Sequence, residues 1–159
     1  MTVSEIEREQ ATTRAIDRYA DAPGALLPVL HAIQDELGYI PATAIDAVAH
    51  RLNLSRADVH GVNSFYHDFR SEPPGRHIVR LCRAEACQST GGRILEEEFR
   101  RRLQIDFHAT SADGNITLEP AYCFGVCACA PTAMIDGTLH GRLDTARLAA
   151  LLRDLDAPR

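Results

Sequence analysis

Residues 122–131 read YCFGVCACAP and hold three of the chain's five cysteines, Cys123, Cys127 and Cys129. The other two, Cys82 and Cys87, lie in LCRAEACQST, residues 81–90. The spacing is C-x4-C, then thirty-five residues, then C-x3-C-x-C. Each cluster follows a segment of strand character, HIVRLC at 77–82 and ITLEPAYC at 116–123. Loops after strands are where α/β folds place their sites, so the cysteine loops mark the second half of the chain as a small α/β unit.

The flanking sequence completes that unit. TGGRILEEEFRRRL (90–103) predicts a helix with Leu95, Phe99 and Leu103 four residues apart. Glu96, Glu97 and Glu98 each precede an arginine by four. Such pairs are worth roughly 0.2–0.5 kcal/mol each, and they mark the arginine run as a solvated face rather than a nucleic-acid patch. TAMID (132–136) and TLHGRL (138–143) predict strands about a tight Asp136-Gly137 turn. Asp144 caps a last helix, TARLAALLRDL, with Leu143 and Leu148 as its hydrophobic staple.

Upstream, RSEPPGR (70–76) reads as a linker. Residues 4 to about 70 read as helices. SEIEREQATTRAIDRYA (4–20) is helix-permissive with little apolar face. Leu26, Leu30, Ile33 and Leu37 share a side of the next helix, which Gly38 ends; Pro28 fits only its first turn. Ile45, Val48 and Leu52 repeat the pattern. Ser55 and Asp58 form a capping box before a fourth helix, with Leu54 and Val59 as its staple. The fold class is α/β: an N-terminal helical bundle, residues 1–70, followed by a strand–helix–strand–helix domain, residues 76–159.

The chain has 159 residues, enough to build a core without disulfides. Its N-terminus lacks the basic start and apolar run of a secretory signal, and no apolar run approaches the ~20 residues of a membrane span. A cytoplasmic location without membrane insertion is therefore expected. Net charge is −5 and all 17 basic residues are arginine. That argues against nucleic acid as a partner and excludes Walker or Schiff-base lysine chemistry. No G-x-S-x-G, H-E-x-x-H or G-x-G-x-x-G occurs, so no substrate chemistry is expected of the chain alone.

Four readings compete for the cysteines. Disulfides suit neither an odd count nor a reducing compartment. A thioredoxin-type redox pair needs C-x-x-C, which is absent. Structural zinc tolerates these spacings without favouring them. A [2Fe–2S] cluster needs two thiolate pairs, one per iron, and two loops each supplying a pair meet that need. A Rieske centre needs C-x-H, but position 84 is Ala and position 125 is Gly. Gly125 allows a tight bend between ligands. Ala84, Ala86, Ala128 and Ala130 leave room for backbone N–H groups to approach sulfur. Spacing alone favours iron–sulfur over zinc and leaves both open.

The two stretches LCRAEACQSTGG and CFGVCACAPTAMIDG closely resemble the thioredoxin-like [2Fe–2S] ferredoxin family. This is the small subunit found beside the flavin subunit in respiratory NADH dehydrogenase (complex I), NAD-linked hydrogenases and NAD-dependent formate dehydrogenases. LHAIQDELGYIP and LNLSRADVHGVNSFYHDF resemble its helical N-terminal part, so the likeness runs from residue 24 to 155. The resemblance implies an electron-transfer subunit of an NAD-dependent oxidoreductase, with one [2Fe–2S] cluster ligated by Cys82, Cys87, Cys123 and Cys127. It implies FMN and NAD in a partner subunit. After Ala130-Pro131 the chain has His140-Gly141-Arg142 where complex I members continue differently. That segment resembles the gamma subunit of molybdenum-containing, NAD-dependent formate dehydrogenases. It implies a molybdenum-cofactor catalytic subunit with further iron–sulfur clusters as a second partner. The rival of another class is a structural zinc module; an iron–sulfur protein is brown and a zinc protein colourless.

The family pattern leaves Cys129 without a ligand role, as a small buried residue. The seven histidines stand at no metal-binding spacing, and most read as helix-surface or capping residues, with packing or subunit contact open to His60 and His67. Phe65, Tyr66 and Phe69 read as core that joins the two parts, with partner docking as the alternative. Of Tyr122 and Phe124, one is expected to shield the site, since side chains of an extended segment alternate faces.

Overall fold

The computed structural model describes residues 4–156, and the chain divides into two compact units, Met1–Pro73 and Pro74–Arg159. The first holds α1 (Glu5–Tyr19), α2 (Leu26–Leu37), α3 (Ala42–Leu52) and α4 (Arg56–Phe65). Helix α1 has a capping box that its polar sequence hides: Ser4 accepts from Glu7 N at 3.3 Å, and Glu7 Oε2 accepts from Ser4 N at 2.8 Å. Its apolar face is narrow but used. Ala11, Ala15 and Ile16 are buried, and α1 packs on α2 and α3. Small residues let a mostly polar helix approach closely. Gly38 ends α2 at φ 83°, donating to Gln34 O at 2.7 Å. The Ser55–Asp58 capping box forms as expected. Val29, Leu30, Ile33, Val48 and Val59 are the centre of this core.

The aromatic cluster divides. Phe69 is buried and packs on His31, ring centroids 4.9 Å apart. Phe65 and Tyr66 are 72% and 43% exposed, which corrects their reading as core. Helix α4 ends there, and Tyr66 turns to extended backbone, directing both rings outward.

The second unit is a five-stranded sheet in the order β2-β3-β1-β4-β5, from β1 (His77–Cys82), β2 (Ala109–Thr110), β3 (Ile116–Ala121), β4 (Ala133–Ile135) and β5 (Thr138–His140). Strand β1 runs parallel to β3 and antiparallel to β4. Val79, Leu118 and Ile135 stand abreast and bury one face against Leu95 and Phe99 of α6 (Arg93–Leu103) and Leu148 and Leu152 of α7 (Thr145–Asp156). On the other face Arg80 pairs with Glu119 at 2.9 Å. Alternation along β1 therefore assigns one face to core and one to charge. Strand β2, two residues long, is too short to leave a pattern.

Several local details depart from the sequence expectation. The helix expected from residue 90 begins at Arg93, because a kink intervenes within Gln88–Gly92, where Thr90 and Gly91 leave helical geometry, Gly91 at φ 102°. A single helical turn, α5 (Glu85–Cys87), precedes it. Arg101 pairs with Glu98 rather than Glu97, and Arg102 also reaches Glu98. His77 is buried, not at the surface, with Nδ1 2.6 Å from Asp136 Oδ2. The Asp136-Gly137 turn has φ 48° and 81°, the signs a two-residue hairpin demands. Asp144 caps α7 by accepting from Arg147 N at 2.8 Å. Among the described residues no helix is long and apolar enough to cross a membrane.

Candidate metal centre

Parallel pairing of β1 and β3 brings both cysteine loops to the C-terminal ends of two neighbouring strands. Cys82, the last residue of β1, lies opposite Ala121, the last residue of β3. Arg83 N then donates to Ala121 O at 2.7 Å, which continues the pairing to the loops. Cys82 is 2% exposed, and its N–H donates to Thr132 O at 3.1 Å. The α5 turn folds Cys87 back beside it, also 2% exposed. Gly92 makes that fold possible: a Cβ there would lie 2.5 Å from Cys87 O.

The second loop turns tightly. Cys123 has φ 103° and Gly125 φ 79°, conformations that cost a side-chain-bearing residue energy and cluster at functional sites. The bend lets Gly125 N donate to Cys123 Sγ at 3.3 Å and sets Cys123 Sγ 3.6 Å from Cys127 Sγ. Cys127 begins a short 3-10 turn, Cys127–Cys129.

Four thiols thus stand as two pairs, Cys82 with Cys87 inside and Cys123 with Cys127 at the surface. Burial pushes the Cys82 thiol up, but N–H donors from Ala84 and Cys123, with Cys87 and Thr132 beside it, outweigh burial and leave it below its ordinary value. Burial dominates at Cys87 and holds it up. Hydrogen bonding to Cys123 holds the Cys127 thiol up. Backbone donors aimed at sulfur stabilise thiolates.

The outer thiol pair fits a thiolate-bound metal, although no three or more ligating side chains stand together at metal-binding geometry among the described residues. Two thiolates on one tetrahedral metal, at bonds of about 2.3 Å, sit about 3.8 Å apart. The 3.6 Å between Cys123 and Cys127 is close to that spacing and far exceeds a disulfide's ~2.05 Å. All five cysteines are free.

Cys129 is half-buried rather than buried, and its contacts run elsewhere: Arg142 N donates to Cys129 O at 2.6 Å, and a Cβ on Gly141 would meet Cys129 Cβ at 2.9 Å. Of the flanking aromatics, Phe124 is half-buried and Tyr122 is 73% exposed. Two residues of the site are not evident from the sequence. Gly92 sits in what reads as an ordinary helix start. Thr132 is a polar residue inside the TAMID strand segment, and that mismatch is its only signal.

The profile of the thioredoxin-like [2Fe–2S] ferredoxins matches residues 12–156. A subunit of the NADH-quinone oxidoreductase of Pseudomonas aeruginosa is 35% identical over 150 residues, 94% of this chain and 90% of that protein. Its counterpart in Rhizobium meliloti is 36% identical over 143 residues, 90% of this chain and 85% of that protein. Among solved structures, an NAD+-reducing [NiFe]-hydrogenase in its air-oxidized state superposes with TM-score 0.70 at 28% identity over 88% of this chain. The chain spans 24% of that hydrogenase chain. With thiol pairs beyond the ends of two neighbouring strands and a match over nearly its whole length, the chain belongs to the thioredoxin-like [2Fe–2S] ferredoxin family.

Proposed function

We propose that this chain is the electron-transfer subunit of an NAD-linked oxidoreductase complex, working beside a flavin- and NAD-binding subunit. The observation that supports it most is the pairing of thiols, with Cys123 and Cys127 3.6 Å apart at the surface. We assign Cys82, Cys87, Cys123 and Cys127 as the ligands. When bound, a [2Fe–2S] cluster supplies acceptance and release of single electrons. The chain's own residues do the rest. The β1 and β3 ends fix the thiolates, while Gly125 donates its N–H to Cys123 Sγ at 3.3 Å. The inner pair is closed to water, and the outer pair, beside exposed Tyr122 and Val126, faces a partner.

For the parent complex we favour a molybdenum-containing formate dehydrogenase. The support is the His140-Gly141-Arg142 segment, which packs directly on Cys129 beside the site. Relatives named for NADH-quinone oxidoreductase support complex I as the second reading. Metal analysis and co-purification test both levels. Anaerobically prepared protein should carry two irons and two acid-labile sulfides; stoichiometric zinc in their place overturns the cluster. A co-purifying molybdenum subunit supports the formate dehydrogenase, and quinone-reductase subunits overturn it. Serine at Cys82, Cys87 or Cys123 should bleach the protein, Cys127→Ser should bleach it or leave a partial, altered spectrum where Cys129 substitutes, and Cys129→Ser should leave it brown. Bleaching by Cys129→Ser with Cys127→Ser still brown would move the fourth ligand to Cys129.

A further inference from the structure

Thr132 meets both inner cysteines. It is 2% exposed. Its carbonyl accepts from Cys82 N at 3.1 Å, and its hydroxyl lies 3.5 Å from Cys87 Sγ. A buried hydroxyl without a partner is costly, and among the described residues Cys87 Sγ is the partner found for it. A metal-bound thiolate carries no proton, so in the loaded protein the hydroxyl must be the donor and sulfur the acceptor.

We propose that Thr132 is a positioning residue that raises the reduction potential at this site through its hydroxyl on Cys87 Sγ. This rests on the cluster reading above. A donor to thiolate sulfur withdraws charge and favours the more negative, reduced state. The backbone donors at the site are fixed by the fold, whereas this hydroxyl depends on one side chain. In the outer pair the donor is backbone, Gly125 N on Cys123 Sγ at 3.3 Å. The inner pair is therefore where a substitution can retune the centre without moving the chain.

The test compares the full chain with Thr132→Val, which keeps shape and removes the hydroxyl, and Thr132→Ser, which restores it. Each is loaded anaerobically with iron and sulfide and assayed for both. Its midpoint is titrated by electron paramagnetic resonance, and its iron–sulfur stretches are recorded in H2O and D2O. All three proteins should hold two irons. The valine variant should be about tenfold harder to reduce, about 59 mV for a one-electron couple, and should lose part of the deuterium shift. The serine variant should match wild type on both readouts. A valine variant with full iron, unchanged midpoint and unchanged deuterium shift overturns the proposal. Wild type without iron overturns the cluster reading, and this proposal with it. If valine fails to load, Thr132→Ala removes the same hydroxyl without bulk and is read the same way. Failure of both, with serine loading normally, makes the hydroxyl an assembly requirement and overturns a tuning role.

Discussion

Gly91 and Gly92 are neighbours with different demands. Gly91 has φ 102° and open space where a Cβ would be. Gly92 has helical φ, but its Cβ would lie 2.5 Å from the carbonyl oxygen of Cys87, a backbone atom that cannot rotate away. Gly91→Ala should therefore cost only conformational strain, on the order of 1–2 kcal/mol, and keep the metal group. Gly92→Ala should cost about 1–3 kcal/mol by overpacking and displace Cys87. Denaturant titration and iron content measure the two effects; equal iron in both variants would show that Cys87 tolerates the shift. The four paired cysteines are legible from spacing and resemblance because thiolate chemistry demands those residue types. Gly92 and Thr132 are not, because their roles depend on through-space neighbours, across a turn for Gly92 and 45 residues away for Thr132. The exposure of Phe65 is hidden for a related reason: composition identifies an aromatic residue but not the residue at which its helix ends.

Among the elements, α6 carries the densest charge pairing. Glu98 accepts from Arg101 at 2.8 and 3.0 Å and from Arg102 at 2.5 Å. Hydrogen bonds from Arg101, then Arg102, lower its carboxyl from 4.5 to about 2. A lowered carboxyl stabilises the fold fully above its unfolded value near 4.5, and loses that contribution as pH falls through about 2. Glu98→Gln should lower the melting temperature slightly at pH 7, and the gap to wild type should close toward pH 2. The effect is small because the arginines are 66% and 37% exposed and water and salt screen the pairs. A gap that persists at pH 2 would assign the loss to packing instead. Helices and long strands are legible because their periods repeat: the Ser55 box, the Gly38 stop and the Asp144 cap all stand where the residues demand. The Ser4 box and the two-residue β2 are not, the first behind a polar face and the second for lack of length. The kink at residues 88–92 is invisible for a different reason. It answers to the approach of Gly92 to Cys87, which no local propensity encodes.

At the scale of the molecule, the two hydrophobic cores share no residue. One is built from α1–α4 and Phe69, the other from the sheet with α6 and α7, and every cysteine belongs to the second unit. We propose that the second unit folds and holds its metal group alone. The SEPPG segment suggests a start at Arg76, but the hydrogen bonds argue for one slightly earlier. Gly75 N donates to Thr117 Oγ1 at 2.6 Å, and that hydroxyl is also 2.8 Å from Thr110 Oγ1. The bond ties the chain in front of β1 to β3 and, through Thr110, to the edge strand β2. A fragment of residues 76–159 lacks the donor; one of 74–159 keeps it. Both should be soluble and brown with two irons, and the longer should be more stable by about 0.5–1.5 kcal/mol, the net worth of one intramolecular hydrogen bond. Urea titration of the two fragments, with iron analysis on each, measures this. If the 74–159 fragment proves insoluble, or folds without taking up iron, the helices of the first unit are needed to build the centre, and the division into two self-sufficient domains fails.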